Sequence, residues 1–173
     1  MPDPSAPRWL TDDERAAWLR LMAVTMLLPS RLETELKRDT GLSHFEYYVL
    51  AMISESPNRS LALTEVASRV NASLSRLSHV IGRLEDQGLL RRSPSPTDAR
   101  ASLATLTDDG WAKVVASAPG HVEEVRTLVF DPLSPAQVAQ LSEICGALLG
   151  TLDPEHRLLG LGAQDVSAAK PTQ

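Results

Sequence analysis

The chain has 173 residues, of which 43% are hydrophobic and 23% charged, and its formal net charge is −5 at pH 7. These values are typical of a soluble globular protein with one compact domain, and they exclude a disordered chain, a collagen and a coiled-coil rod. No apolar run could span a bilayer and the acidic N-terminus lacks a signal-peptide pattern, so we expect a cytoplasmic protein without membrane contact. With Cys145 as the only cysteine, an intrachain disulfide is impossible and no metal site is expected.

Charge is unevenly distributed along the chain. Residues 57–106 contain seven arginines and four acidic residues, a local charge of +3, so the rest of the chain carries −8. A basic segment within an acidic protein is typical of a module that binds a polyanion and is mounted on a scaffold that does not. A chance fluctuation among exposed charges is the alternative that this count leaves open.

The first predicted elements are two helices that begin with capping boxes. Thr-Asp-Asp-Glu at 11–14 precedes apolar residues at helical spacing, which continue to about Arg38. Pro29 removes one backbone donor from this helix and predicts a kink or a split. A second capping box, Ser-His-Phe-Glu at 43–46, predicts a helix that ends near Glu55.

The middle of the chain predicts a helix-turn-helix followed by a β-hairpin. A short helix over about 64–70, with Val66 and Ala67 facing inward, is followed after a break by a helix over about 73–88. Residues 89–92 and 101–106 flank a turn-rich segment and predict the hairpin. The apolar stripe of the longer helix consists of Leu74, Leu77, Val80, Ile81 and Leu84.

Two further helices are predicted after the hairpin. Helical spacing runs from Thr107 to about Phe130, and the Pro-Gly pair at 119–120 predicts a bend or a break. Ser-Pro-Ala-Gln at 134–137 opens a last helix, which ends near Leu152. The predicted fold class is therefore mainly α with a small β-hairpin wing on a helix-turn-helix.

The longer helix of the helix-turn-helix is the candidate DNA reader. Side chains near its N-terminus can reach base edges in the major groove, where backbone amides also approach phosphates. Arg76 can pair with O6 and N7 of a guanine, which is worth ~1–3 kcal/mol of discrimination. An amphipathic helix with a merely solvated polar face is the alternative. The candidate DNA-binding residues on this helix are Ser73, Ser75, Arg76, Ser78 and His79.

The hairpin adds positive charge where a wing would pass a phosphate ridge or a minor groove. Arg91 and Arg92 lie on its first strand, and Arg100 lies beyond its tip. Asp98 is an acidic residue in this basic loop, and an ion pair from it would hold an arginine extended. We therefore include all four among the candidate DNA-binding residues.

Three segments together resemble the MarR family of bacterial transcription regulators. They are Leu-Thr-Glu-Val-Ala at 63–67, the helix of 73–88 that ends in Arg-Leu-Glu-Asp-Gln-Gly, and Pro-Ser-Pro-Thr-Asp-Ala-Arg at 94–100 running into Leu-Thr-Asp-Asp-Gly at 106–110. The resemblance covers about residues 12–150. Its most specific part is the Asp-x-Arg wing followed by Leu-Thr-x-x-Gly.

The resemblance implies a homodimer with intertwined terminal helices and two winged heads that bind a palindromic operator on double-stranded DNA near its own or a neighbouring gene. Repression is the commoner outcome in the family, and activation stays open. The arginine matching Arg100 enters the minor groove, and the aspartate matching Asp98 supports the wing. The predicted parts are an N-terminal arm (1–10), dimerisation helices (11–42 and 107–152), a winged helix-turn-helix head (43–106) and a C-terminal tail (153–173).

Two features depart from the family pattern. Ala99 and Leu103 stand where many members have basic residues, so this wing is less positive and its nonspecific DNA affinity should be modest and sensitive to salt. His79 stands where arginine is frequent, which predicts DNA binding that depends on pH near ~6.5.

The resemblance also implies a small aromatic or phenolic anion as effector, bound between the dimer helices and the head. Such a ligand acts by preferring a head spacing that does not fit the operator. Ordinary core packing is the alternative for every candidate. The candidate lining residues are Trp18, Met22, His44, Tyr48 and Trp111.

Other classes of function find little support in the sequence. The chain contains no Gly-x-Ser-x-Gly, His-Glu-x-x-His or phosphate-binding-loop motif, so we expect no enzyme, no catalytic residue and no cofactor. Cys145 lies in an apolar stretch and is predicted to be a buried thiol rather than a redox sensor. A helical protein-interaction module that uses the winged head to bind another protein is the competing hypothesis, and steep salt dependence would favour DNA.

Overall fold

The computed structural model describes residues 7–96 and 101–158. The fold is mainly helical with one small antiparallel sheet, as the sequence predicts. The elements in chain order are α1 (Asp12–Thr40), α2 (His44–Ser54), β1 (Ser60–Ala62), α3 (Leu63–Arg69), α4 (Leu74–Asp86), β2 (Leu90–Pro94), β3 (Ser102–Leu106), α5 (Asp108–Val125) and α6 (Pro135–Leu152).

All three predicted capping boxes are present. At the start of α1, the Thr11 hydroxyl accepts the Glu14 amide at 3.2 Å, and the Glu14 carboxylate accepts the Thr11 amide at 2.7 Å. The same reciprocal pairs begin α2 and α6. These bonds satisfy amides that lack partners within the helix, and this explains why the helix starts could be read from the sequence.

The two internal prolines do not divide their helices. α1 is a single helix of 29 residues across Pro29, and α5 continues across Pro119, so the split and the break do not occur, and the alternative kink and bend stay predictions. Each proline removes one backbone hydrogen bond, and the turns on both sides keep the helix continuous. The irregularity of the second long helix comes later, where Arg126–Phe130 form one π-helical turn.

The sheet has the order β1-β3-β2, one strand more than the predicted hairpin. Leu90 pairs with Leu106 at the base of the hairpin, and Pro94 pairs with Ser102 towards its tip. β1 was missed because a strand of three residues carries no alternating pattern. It is joined to β3 by a hydrogen bond of 2.8 Å between the hydroxyls of Ser60 and Thr105.

The apolar core lies in the winged head. The predicted inward residues Val66 and Ala67 are buried, and so is the stripe of α4 with one exception. Leu74 is 49% exposed because it lies in the first turn of α4, at the edge of the core, so its prediction as a stripe residue is wrong. The fully buried hydrophobic residues are Val49, Leu50, Ile53, Val66, Leu77, Ile81, Leu84 and Ala104.

Two helices leave extensive apolar surface uncovered. α1 buries only Leu32 and Leu36, both in its C-terminal half, and α6 buries no residue. Cys145 on α6 is therefore exposed, so its prediction as a buried thiol is wrong for the single chain. Despite this surface, none of the described helices has the length and apolarity to cross a bilayer.

Candidate nucleic-acid interface

A tight turn and a serine cap set the start of α4. The turn after α3 closes when the Ala72 amide donates to the Ala67 carbonyl at 2.9 Å, and Asn71 adopts a positive φ of 48°. The Ser73 hydroxyl then accepts the Arg76 amide at 3.2 Å. The remaining free amides of the first turn face solvent, where they can approach a phosphate.

α4 divides into a buried face and an exposed polar face. Leu77, Ile81 and Leu84 are fully buried, so the opposite side of the helix points away from the head. Gly82 lies on this outward side, with no atom within 4 Å of the position a Cβ would take. The structure brings together all five predicted residues of this helix on its exposed part: Ser73, Ser75, Arg76, Ser78 and His79.

The flank of α4 that faces α2 is held by an aromatic ring. The guanidinium carbon of Arg76 lies 4.3 Å from the ring centroid of Phe45, which is in the first turn of α2. This is within the range of a cation–π contact. No local sequence pattern indicates a role for Phe45, because Phe45 and Arg76 are 31 positions apart along the chain.

Two helical turns further along α4, an ion pair joins the same two helices. Nε of Arg83 donates to Oε1 of the buried Glu46 at 3.1 Å, and Oε2 of Glu46 accepts the amide and the hydroxyl of Ser43 at 2.9 Å each. Burial by itself raises the pKa of Glu46, but the hydrogen bonds from Ser43 and Arg83 outweigh it and lower the pKa below its ordinary value. Glu46 is therefore an ionised residue that both caps α2 and fixes α4.

The opposite flank of α4 holds the first strand of the wing. The backbone amide and Nε of Arg92 donate to the two carboxylate oxygens of Glu85 at 2.9 and 2.7 Å. The backbone bond and then the guanidinium bond lower the pKa of Glu85. Arg91 is exposed and has no ion pair among the described residues. Asp98 and Arg100 lie outside the described residues, so their roles in the wing stay predictions.

The Leu-Thr-x-x-Gly motif joins the wing to α5. The Thr107 hydroxyl donates to the Gly88 carbonyl at 2.6 Å and accepts the Gly110 amide at 3.0 Å, so one side chain caps α5 and ties it to the end of α4. The carbonyl oxygen of Leu89 lies so close to Gly110 that a Cβ at position 110 would clash with it. The motif thus has a structural explanation in the packing of these three elements.

Two of the five candidate effector residues come together. The rings of His44 and Tyr48 stack with their centroids 6.0 Å apart, and His121 of α5 lies 5.8 Å from His44. Burial lowers the pKa of both histidines, and the neighbouring His44 lowers that of His121 further. Within the described residues, no three metal-ligand side chains converge on a site.

The other three candidates do not join this aromatic cluster. Trp111 packs under the guanidinium of Arg59, with 4.1 Å between the guanidinium carbon and the ring centroid. Trp18 is 51% exposed on α1, and Met22 is partly buried one turn later. No local sequence pattern indicates a role for His121, because its proximity to His44 arises only when α5 packs on α2.

Comparison with known proteins identifies the family. A sequence model of the MarR family matches residues 40–101. The chain is also similar to Sco3205, a MarR family transcriptional regulator from Streptomyces coelicolor solved in complex with DNA, with 41% identity over 87% of this chain and 94% of that one and a TM-score of 0.82. The chain belongs to the MarR family of transcriptional regulators. The chain therefore has the winged-helix fold of DNA-binding transcription regulators.

Two further relatives agree with this assignment. AbsC, another MarR family transcriptional regulator from Streptomyces coelicolor, is 34% identical over 84% of this chain and 98% of its own, with a TM-score of 0.80. The HTH-type transcriptional regulator MhqR from Bacillus subtilis is 26% identical over 60% of this chain and 70% of its own length. The similarity to MarR regulators thus extends well beyond the winged head.

Proposed function

We propose that this MarR protein is a dimeric repressor that binds a palindromic operator near its own or a neighbouring gene and is released by a small aromatic or phenolic anion. The observation that carries the proposal is the exposed polar N-terminal half of α4, whose opposite face is buried in the core of the head. DNA is supported as the partner by the similar protein Sco3205, which was solved in complex with DNA.

In this proposal α4 enters the major groove and the wing follows the backbone. Arg76 pairs with a guanine, and the serines of the first turn contact phosphates or base edges. Arg91 has no acidic partner among the described residues, so its charge can neutralise a phosphate. Arg100 enters the minor groove, and Asp98 holds it extended.

The dimer is supported by the apolar surface of the two outer helices. On α1 the exposed residues include Trp18, Leu19, Leu27 and Met26, and α6 exposes an apolar row along one side. A second copy of the chain would cover both surfaces and place two heads about a two-fold axis. The heads would then reach half-sites about one helical turn of DNA apart, ~34–36 Å.

The effector is proposed to bind at the cluster of His44 and Tyr48. The neighbouring cavity of about 310 Å³ between α1 and α5 shares His121 with this cluster, but none of the five candidate residues lines it. Its described lining carries four carboxylates, those of Glu35, Asp39 and two glutamates of α5, against the guanidinium of Arg38, so an anion would meet net negative charge there. The side of the cluster formed by His44 and Tyr48 is therefore the better site for an aromatic anion.

Fluorescence anisotropy tests the operator. Duplexes tiled across the region upstream of the gene are titrated with protein at physiological salt with scrambled competitor. We expect saturable binding to one tile with two protomers per duplex and a steep loss of affinity with added salt. Equal weak binding to every tile, with no dependence on salt, would contradict the proposal and favour a protein partner for the head.

A wing variant and an effector titration test the finer parts. Arg100→Ala should weaken operator binding about tenfold, whereas Arg126→Ala, which removes an exposed arginine paired with Asp131, should leave it unchanged. Salicylate-like acids added to the complex should release DNA. Unchanged binding by Arg100→Ala refutes the assignment of the wing, and a complex that no such acid dissociates refutes the effector.

A further inference from the structure

The contact between Arg76 and Phe45 fixes an arginine at the start of the DNA-reading helix. The guanidinium carbon lies 4.3 Å above the ring centroid, and the ring itself packs against the core of the head. An arginine on a helix surface otherwise samples many rotamers, and ordering it on binding costs free energy. A ring anchored in the core removes much of this freedom before DNA arrives.

Arg76 also differs from the nearby arginines because its guanidinium N–H groups bind no carboxylate among the described residues. The arginines at 69, 83 and 92 each donate Nε to a carboxylate, at 2.8, 3.1 and 2.7 Å. Arg76 has no ion pair and no side-chain hydrogen bond among the described residues. Its stack with Phe45 uses the face of the guanidinium, and pairing with guanine uses the N–H groups at its edge. Both contacts can therefore exist together.

The residues around the stack leave the N–H groups of Arg76 available to DNA rather than binding them to a neighbouring acidic side chain. Ser43, His79 and Val80 line a surface cavity of about 360 Å³ together with Phe45 and Arg76. Among the described residues that line it, Glu33 is the only acidic one, and its Oε2 accepts the His44 amide at 2.6 Å. Glu33 is thus engaged with the start of α2, and Arg76 makes no ion pair with it.

We propose that Phe45 is a positioning residue for sequence reading: its ring holds the guanidinium of Arg76 in the orientation that pairs with one guanine of each half-site. This inference rests on the proposed function, in which α4 enters the major groove. Phe45 acts through Arg76 and makes no base contact of its own. Its loss should therefore affect the preference at one base position and leave contacts to phosphates intact.

Selection from a random duplex library tests the inference without knowledge of the operator. The full-length wild-type protein, Arg76→Ala, Phe45→Leu and Phe45→Tyr are each used to select and sequence bound duplexes. We expect the wild type to enrich a palindrome with a guanine position at which Arg76→Ala loses about tenfold of preference. Phe45→Leu should lose preference at the same position only, and Phe45→Tyr, which keeps a ring under the guanidinium, should retain it.

The outcomes separate the inference from the proposed function. A wild-type palindrome that Phe45→Leu also enriches, with equal preference at every position, overturns the inference and leaves the function standing. A loss at all positions by Phe45→Leu, or an equal loss by Phe45→Tyr, assigns Phe45 a merely structural role and also overturns it. A wild type that enriches no sequence overturns both. Thermal melting of the four proteins verifies that each is folded.

Discussion

The partners of single arginines decide where positive charge is available for DNA. Arg59 is held at the base of the sheet, over Trp111 and 3.9 Å from Asp108. Arg92 forms an ion pair with Glu85 of α4. Among the described arginines of 57–106, only Arg76 and Arg91 lack an acidic partner. The charge count of the basic segment is therefore less informative than the position of these two side chains.

Glu46 should make a measurable contribution to stability because it joins two helices. Glu46→Gln keeps an acceptor for the capping box but loses the charge that Arg83 binds, and should lower the free energy of unfolding by about 1 kcal/mol. Glu46→Ala also loses the cap and should cost about 2 kcal/mol. Urea denaturation at fixed protein concentration measures both. Equal stability of the two variants would contradict the separate roles of cap and ion pair.

The pH dependence of this contribution follows from the direction of its shift. The pKa of Glu46 is lowered in the folded state by the hydrogen bonds from Ser43 and Arg83, which outweigh the effect of burial. Its contribution is therefore complete above the ordinary pKa of a glutamate and is lost as the pH falls through the folded pKa. As the pH falls through this range, the free energy of unfolding should decrease less for Glu46→Gln than for the wild type.

At the scale of elements, the junction of α4, the wing and α5 depends on one close approach. Gly110→Ala should destabilise the protein by more than about 2 kcal/mol, because its Cβ would clash with the Leu89 carbonyl and also meet Leu106. Gly82→Ala is the matched control: its Cβ meets nothing within 4 Å, and alanine stabilises a helix by up to ~1 kcal/mol over glycine. Thermal melting compares them, and a Gly110→Ala protein as stable as Gly82→Ala would refute this packing.

The contact of α2 with α5 should be sensitive to acid. The pKa values of His44 and His121 are lowered by burial, although Glu33 opposes this for His44. Both rings are therefore favoured as neutral, and their contribution to stability is complete above ~6.5 and is lost as the pH falls below it. The wild type should lose stability as the pH falls below ~6.5.

Variants of single histidines test this assignment. His121→Gln should flatten the pH dependence of the unfolding free energy in that range, and His156→Gln, which removes an exposed histidine, should not. Denaturant titrations at several pH values measure the slope. An identical slope for His121→Gln and the wild type would show that this pair does not control acid sensitivity.

For the whole molecule, the uncovered surface of α1 and α6 is the dominant feature. Most of the core lies in the winged head and is completed by Leu36 of α1 and Val114 of α5, whereas α6 buries none of its residues in the single chain. Apolar surface of this extent on a monomer typically marks an interface with another protein. In the proposed dimer this surface also sets the distance between the two heads.

A charge on the apolar side of α6 should therefore disrupt assembly and operator binding together. Ile144 is 58% exposed beside Leu141 and Leu148, and Ile144→Glu would place a carboxylate in the proposed interface. We expect a monomer by light scattering and an operator affinity at least about tenfold weaker, since two half-sites no longer bind together. Ser142→Glu adds the same charge on another side of the helix and should remain dimeric. A dimeric Ile144→Glu protein would contradict the role of this surface.

Whether a feature can be predicted from the sequence depends on how far apart along the chain the residues that determine it lie. The capping boxes and the buried stripe of α4 were predicted because their hydrogen bonds and spacing involve residues three or four positions apart. For Pro29 and Pro119, local rules left a kink or bend and a split or break as alternatives, and only the continuity of the whole helix excluded the split and the break. The placement of Leu74 and Cys145 failed for a related reason, since periodicity does not say where the core ends.

The sequence by itself determined the helical head, its wing and the family, because short patterns that specify caps, turns and faces occur in one order at characteristic separations. Only the tertiary structure decided which side chains meet across the fold. Phe45 contacts Arg76, and Glu46 accepts a hydrogen bond from Arg83, which lies 37 positions later in the chain. The hydroxyls of Ser60 and Thr105 form a hydrogen bond across a sequence separation of 45 residues. Such contacts depend on how whole elements pack on a common core, and this packing follows from all the buried side chains together rather than from any local motif.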